Sequence, residues 1–213
     1  MINTLIDKSD TFDVVRDKIA QILANETENQ KALAVDAGKN PKLWDLKVFT
    51  ERSSNWDDCK PGEIIVNVWF ESDSMDERSS DTINRQAMRG IFNIDVIGFG
   101  HSKSGVSGDE LAVREATRGM MLVRNIIMSD IYTYLDMRGV VGGRKPINRS
   151  FFQPASNNKT ATHAMGARLA LEVSYNEFSP EQTPSGFLKF LSVKITKAET
   201  GQVLAQLDFD YDA

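Results

Sequence analysis

The chain has 213 residues, a net charge of −5 and a hydrophobic content of 41%. This length suffices for a buried core in one domain, and the apolar runs are too short for a membrane span or a secretory signal. The negative charge argues against a general nucleic-acid binder, whose affinity comes from neutralising phosphates. Because Cys59 is the single cysteine, an internal disulfide and a multi-cysteine zinc site are excluded. We expect a soluble protein of a reducing compartment.

The first predicted element is a helix that begins after Asp10, a residue suited to capping a helix N-terminus. Apolar residues recur three or four positions apart along one face, namely Phe12, Val15, Ile19, Ile22 and Leu23. The helix is expected to end within residues 24–38, before Gly38 and Pro41 close the segment.

Three strands are predicted next, at residues 46–52, 63–71 and 85–99, because these segments are rich in β-branched and aromatic residues. The last two are expected to form a long, twisted hairpin. A polar, serine-rich excursion at residues 72–84 separates them and is predicted to be an exposed loop.

The third strand alternates in character along its length. Met88, Phe92, Ile94 and Val96 are expected to face the core, and Arg89, Asn93 and Asp95 to face away from it. We predict that Arg89 and Asp95 are solvated or lie at an interface with a partner.

Residues 107–138 predict one long helix of roughly 45 Å, from 1.5 Å per residue. Ser107 and Glu110 have the spacing of a capping box, and Gly139 is the expected stop. The predicted buried stripe includes Ile126 and Ile127. Gly119 lowers helix stability, which is best explained by close packing against an element beneath it.

Residues 138–163 have no clear periodicity and are predicted to be a long basic loop. The segment contains five basic side chains and no acidic one: Arg138, Arg144, Lys145, Arg149 and Lys159. A loop of this length is uncommon in a compact domain unless it is functional or disordered. Three further strands are predicted after it, at residues 164–175, 187–197 and 203–211, and the last two form a closing hairpin.

The predicted fold class is therefore α+β. We expect an antiparallel or mixed β-sheet covered by two main helices, with a long hairpin and extended loops. Residues 1–213 are expected to form a single domain, with extended loops at residues 72–84 and 138–163.

The sequence contains no recognisable catalytic motif. Lys103 and Ser104 lie between a strand and a helix, but the glycines of a phosphate-binding loop are missing around them. His101 and His163 are expected in polar loops, far apart in sequence. A metal-dependent nuclease could use Glu63, Asp95 and Lys103, although nothing in their spacing requires it. We therefore predict a protein that is not an enzyme and that needs no cofactor or metal.

At the level of element order, the chain resembles the tail terminator proteins of long-tailed bacteriophages, also called tail-completion or head–tail joining proteins. The stretches that carry the resemblance are V-F-T-E-R at 48–52, P-G-E-I-I-V-N-V at 61–68, R-G-I-F-N-I-D-V-I-G at 89–98, G-D-E-L-A at 108–112 and G-A-R-L-A-L-E-V-S-Y at 166–175. The chain departs from the smaller family members by the 138–163 segment and by the closing hairpin.

The resemblance implies a virion protein of the tail or neck, assembled in the cytoplasm of the bacterial host. Such a protein forms a ring, usually of six copies, that caps the finished tail tube and presents a docking face to the head connector. The implied partners are the tail tube protein, the connector or completion protein, and DNA passing through the lumen, with no membrane. The alternatives are another tail or neck ring component, such as a tube, baseplate or head-completion protein, or a metal-dependent nuclease.

Five residues are predicted at the partner interface: Arg144, Lys145, Arg149, Asp95 and Arg89. The three basic residues lie in the 138–163 segment, which we expect to dock on an acidic ring of the tube or connector, or to face DNA. Such a loop would become ordered only in the assembly.

Overall fold

The structure is a computed structural model that describes residues 10–52, 62–76, 85–154, 162–178, 190–196 and 203–210. Its contacts divide the chain into two compact units. The larger unit, Asp7–Phe178, holds a five-stranded sheet and two helices, and the other unit contains two paired strands. That all residues form a single domain stays a prediction. Cys59 and Lys159 lie outside the described residues.

The larger unit has an α+β fold, as the sequence predicts. The elements are α1 (Thr11–Asp36), β1 (Lys47–Thr50), β2 (Ile64–Met75), β3 (Arg85–His101), α2 (Gly108–Ile127), β4 (Val141–Phe152) and β5 (Thr162–Phe178). The sheet is mixed, with strand order β1-β2-β3-β5-β4. Strand β1 pairs parallel to β2, and every other neighbouring pair in this sheet is antiparallel.

Helix α1 forms where the apolar stripe predicts it. Asp10 caps the helix, since its side chain accepts a hydrogen bond of 2.7 Å from the Thr11 backbone N–H. Val15, Ile19 and Leu23 are fully buried in the main core, which also contains residues from one face of the sheet. The helix therefore covers that face.

Helix α2 is shorter than predicted, because it ends at Ile127 and not near Arg138. Ser129 and Asp130 follow, and the Asp130 carboxylate accepts a 3.0 Å hydrogen bond from the Ile131 N–H. Such local side-chain bonds compete with helix continuation. The chain then turns back through a left-handed backbone conformation at Leu135, which is fully buried.

The start of α2 also differs in detail from the sequence prediction. Ser107 is the N-cap residue, but its side chain makes no capping hydrogen bond. The hydroxyl of Ser102 instead accepts a 3.1 Å hydrogen bond from the Gly108 N–H. The predicted close packing at Gly119 is confirmed, because a Cβ there would lie 2.7 Å from Cγ2 of Ile64 and from Cγ1 of Val96.

The β2–β3 hairpin is confirmed, and its strands are 12 and 17 residues long. The predicted loop at residues 72–84 is wrong for residues 72–75, which continue β2 beyond a bulge after Phe70. These residues remain strand because β3 supplies backbone partners as far as Met88. Residues 77–84 lie outside the described residues.

The predicted basic loop at residues 138–163 is wrong for residues 141–152, which form β4 at the edge of the sheet. Strand β4 pairs with β5 and contains two irregularities, between Val141 and Gly143 and between Pro146 and Asn148. Glycine, proline and bulges are compatible with an edge strand. His163 belongs to β5, and residues 155–161 lie outside the described residues.

The remaining strands are β6 (Phe190–Thr196) and β7 (Val203–Asp210), which pair antiparallel as a two-stranded sheet. The predicted closing hairpin is therefore confirmed as a strand pair. Its register places Leu191 opposite Phe209 and Val193 opposite Leu207.

Candidate interaction surface

Strand β4 carries the three basic residues that the sequence assigns to a partner interface. It is an end strand of the sheet, and in the described part of the chain β5 is the strand that pairs with it. The three side chains have different surroundings, and these decide which of them is available to another molecule.

Arg144 is engaged inside the fold. Its guanidinium donates hydrogen bonds to the backbone carbonyls of Ile127 and Ser129, the latter at 2.5 Å from Nη2. These carbonyls lie at the end of α2, where the helix dipole favours a cation. Burial lowers the pKa of the Arg144 guanidinium from its ordinary value. Arg144 therefore stabilises the end of α2 and is held away from a partner.

Lys145 is paired on the surface. Its ammonium lies 2.9 Å from a carboxylate oxygen of Glu172 on β5. An exposed pair of this kind contributes about 0–1 kcal/mol, so Lys145 can exchange partners at little cost.

Arg149 is the basic residue of β4 that remains available. It is exposed, and among the described residues it has no hydrogen-bond or ion-pair partner. The prediction of an interface residue therefore fits Arg149 best, although on an edge strand and not on a loop.

The sequence predicts that Asp95 is solvated or lies at an interface with a partner. Within the chain it is only 7% exposed, so it is not solvated. Arg168 of β5 lies opposite it and donates two hydrogen bonds to its carboxylate, of 2.7 and 2.9 Å. The indole N–H of Trp69 donates a third, of 3.0 Å. The hydrogen bond to Asp95 is the main cause that raises the pKa of Arg168. Asp95 is thus the centre of a polar network within the chain.

Aromatic rings enclose this network on the sheet face that is opposite the helices. The Arg168 guanidinium lies 4.8 Å from the ring centroid of Trp69 and 5.2 Å from that of Phe152. Both distances fit cation–π contacts. The sequence alone does not indicate that Arg168, Trp69 and Phe152 lie together. The alternation of β5 places Arg168 on its polar face, but its pairing with Asp95 depends on the strand register.

Arg89 is also held within the chain. Its Nη2 donates to both carboxylate oxygens of Asp76 at 2.9 Å, which links β3 to the end of β2. Arg89 is partly buried, and its guanidinium is engaged by Asp76 within the chain.

An acidic cluster lies where α1 begins beside the β2–β3 hairpin. The Tyr175 hydroxyl donates a 2.6 Å hydrogen bond to Asp73, and Glu177 shares a hydrogen bond with Asp10. Burial, followed by the charges of Asp10 and Asp73, raises the pKa of Glu177 to about 7. Burial also raises the pKa of Tyr175.

The three residues considered for a nuclease do not form one site. Glu63 pairs with Lys47 at 2.6 Å, and Asp95 pairs with Arg168. Asp95 lies opposite Asn67, four positions beyond Glu63 and so roughly 13 Å along the strand. Lys103 lies in the turn after β3, paired with Val106.

Within the described ranges, no group of three or more His, Cys, Asp or Glu side chains is arranged to hold a metal ion. Of the helices described, none combines the length and the apolar content that crossing a bilayer requires.

No protein-family model matches the chain, and no curated protein matches it either.

Proposed function

We propose that the protein is a ring-forming component of a bacteriophage tail, of the tail terminator class. The proposal rests on the element order that carries the resemblance, and on an α+β fold whose helices pack on one face of a mixed sheet. Its ring of copies caps the tail tube and presents the opposite side to the head connector. DNA passes through the lumen of this ring.

The observation that carries the proposal is that the sheet ends in two different strands, β1 and β4. In the described part of the chain, no further strand pairs with either of them on the outer side. A strand at a sheet edge is a template for pairing with another chain. Two different edges favour head-to-tail contacts, which produce a ring when the rotation between copies closes.

The distal half of the β2–β3 hairpin is the surface that we assign to the tail tube. The last five residues of β2 are exposed, and the paired part of β3 begins with the exposed Arg85. Charged side chains concentrate there: Glu71, Asp73, Asp76, Arg85 and Arg89. Complementary charges at the surface of two proteins make their binding specific and speed their association.

A tube-capping assay tests the proposed function. The purified protein is added to tail tube protein from the same phage during polymerisation, and tube lengths are measured by electron microscopy. We expect shorter tubes with an additional ring at one end. Unchanged tube lengths and no ring-shaped density at the tips would contradict the tail terminator assignment.

A further inference from the structure

The two end strands of the sheet lie at the same height. Following the strand pairing across all five strands gives a row from Lys47 to Phe152 and then three consecutive rows that each also run from β1 to β4. The first of these three is Val48, Val66, Val96, Ala167 and Phe151. The second is Phe49, Asn67, Asp95, Arg168 and Ser150. The third is Thr50, Val68, Ile94, Leu169 and Arg149. The edges Val48–Thr50 and Arg149–Phe151 are therefore level with each other.

The two edges also run in opposite directions. Strand β1 is parallel to β2, and the three antiparallel pairings that follow leave β4 antiparallel to β1. When the symmetry axis of a ring runs parallel to the strands, the rotation that relates neighbouring copies leaves the direction of each strand unchanged. In a ring built this way, β4 of one copy meets β1 of the next in an antiparallel pair, which is the slightly more stable arrangement.

The regular part of β4 is the part that lies level with β1. Both irregularities of β4 lie at or before Asn148, and Pro146 lacks a backbone donor. From Arg149 to Phe152 the pairing with β5 has no shift. The length available for continuous pairing thus matches β1, which has four residues.

Apolar side chains support the same junction on the face that the helices cover. Phe151 is 53% exposed at the outer edge of β4. In the next copy it would lie opposite the half-buried Val48. Aromatic and β-branched residues are a favourable cross-strand pair, and the junction would remove the Phe151 ring from water.

Charges on this face are complementary. Arg16 of α1 lies 2.8 Å from Asp13, 2.9 Å from Asp17 and 3.3 Å from Glu51. Three carboxylates around one guanidinium leave an excess of negative charge beside Thr50, the residue in the same row as Arg149. The exposed Arg149 is the cation that this cluster would receive from the preceding copy.

We propose that copies of the chain join head to tail by antiparallel pairing of β4 with β1 of the next copy. Phe151 packs on Val48, and Arg149 reaches the carboxylates around Arg16. This inference rests on the proposed ring and specifies its interface. The partner of the basic segment is then a second copy of the chain, in place of DNA or an acidic ring of another protein.

Cross-linking between separately labelled copies tests the pairing. One sample carries Val48→Cys and the other Phe151→Cys, both with Cys59→Ser, and they are mixed, dissociated and reassembled before a short bis-maleimide is added. Directly opposed residues have Cβ atoms about 5 Å apart, so we expect a mixed dimer as the main product. A matched control replaces Phe151→Cys by Met121→Cys, which is 56% exposed on α2 and should give little product.

The outcomes separate this inference from the proposed function. A ring that yields no mixed dimer, or one in which Phe151→Cys cross-links with itself, would overturn the β4–β1 pairing and leave the ring standing. A protein that stays monomeric in the reassembly step would overturn both.

Charge reversal provides a second test. Arg149→Glu should raise the concentration needed for half-assembly about tenfold, which corresponds to about 1.4 kcal/mol. The exposed Arg118→Glu, on α2, serves as the matched control and should leave assembly unchanged. Equal effects of the two variants would overturn the assigned role of Arg149. Thermal melting of each monomer verifies that the fold is retained.

Discussion

Arg168 and Asp95 lie opposite each other on β5 and β3 and form two hydrogen bonds, of 2.7 and 2.9 Å. The pair joins the interior strands β3 and β5 on the sheet face opposite the helices. Asp95 is buried, and its carboxylate accepts hydrogen bonds from Arg168 and from the indole N–H of Trp69.

We predict that Arg168→Ala lowers the free energy of unfolding by about 3 kcal/mol, because it leaves a buried carboxylate without its cation. Lys145→Ala is the control and should cost no more than about 1 kcal/mol, since Lys145 forms an exposed pair with Glu172. Urea denaturation measures both. Equal losses would show that the Arg168–Asp95 pair behaves as an ordinary surface pair.

Ile127→Ala should lower the free energy of unfolding by about 2–5 kcal/mol, because Ile127 is fully buried in the main core. Arg114→Ala removes an exposed side chain that pairs with Glu110 on the same helix, and it should cost less than about 1 kcal/mol. The same denaturation experiment applies. The reverse order of the two variants would mean that α2 buries a different face.

Gly119→Ala should destabilise the protein by about 1–3 kcal/mol through overpacking, even though alanine is the better helix former by about 1 kcal/mol. The added Cβ would lie 2.7 Å from atoms of Ile64 and Val96. Gly143→Ala is the control for added volume, since nothing lies within 4 Å of a Cβ at that position. A stabilised Gly119→Ala variant would indicate that α2 is free to shift away from the sheet.

Glu177 should make stability depend on pH. Its pKa is about 7 in the folded protein, above its ordinary value of 4.5, so the folded state binds more protons between these values. The contribution of Glu177 to stability is therefore present below about pH 4.5 and is lost as the pH rises through about 7.

Glu177→Gln should consequently stabilise the protein at pH 8, by roughly 1 kcal/mol after solvent screening is allowed for, and leave it unchanged at pH 4. Thermal melting across this pH range measures the difference. A gain for Glu177→Gln that is equal at both pH values would rule out titration as its cause.

The elements that the sequence predicts well are those with a strong apolar period. The stripe of α1 reflects one buried face. Strands β2 and β3 are rich in β-branched and aromatic residues, and both of their faces are buried at residues 64–68 and 92–100. Asp10 and Gly119 were assigned correctly for the same reason, since capping and close packing leave a signature at one position. The sequence predicts α2 to be longer than it is, because the apolar period continues to Leu135, which is buried in a turn and not in a helix.

The sequence does not predict strand β4 or the Arg168 network, and the reason here is different. Strand β4 is a strand because β5 pairs with it, and its own residues include Pro146 and two adjacent glycines. Asp95 and Arg168 are 73 positions apart, so their pairing depends on a register that no local pattern encodes. The contacts of Arg144 and of Lys145 also depend on the pairing of β4 with β5, so the local sequence does not predict them.

Native mass spectrometry of the purified protein tests the central claim most directly. The chain has a mass of 23.8 kDa, and a closed ring predicts one dominant species at an integer multiple of this mass, with six copies expected. That species should lose abundance in Arg149→Glu and persist in Arg118→Glu. A spectrum that contains only the monomer, at every protein concentration examined, would contradict the ring.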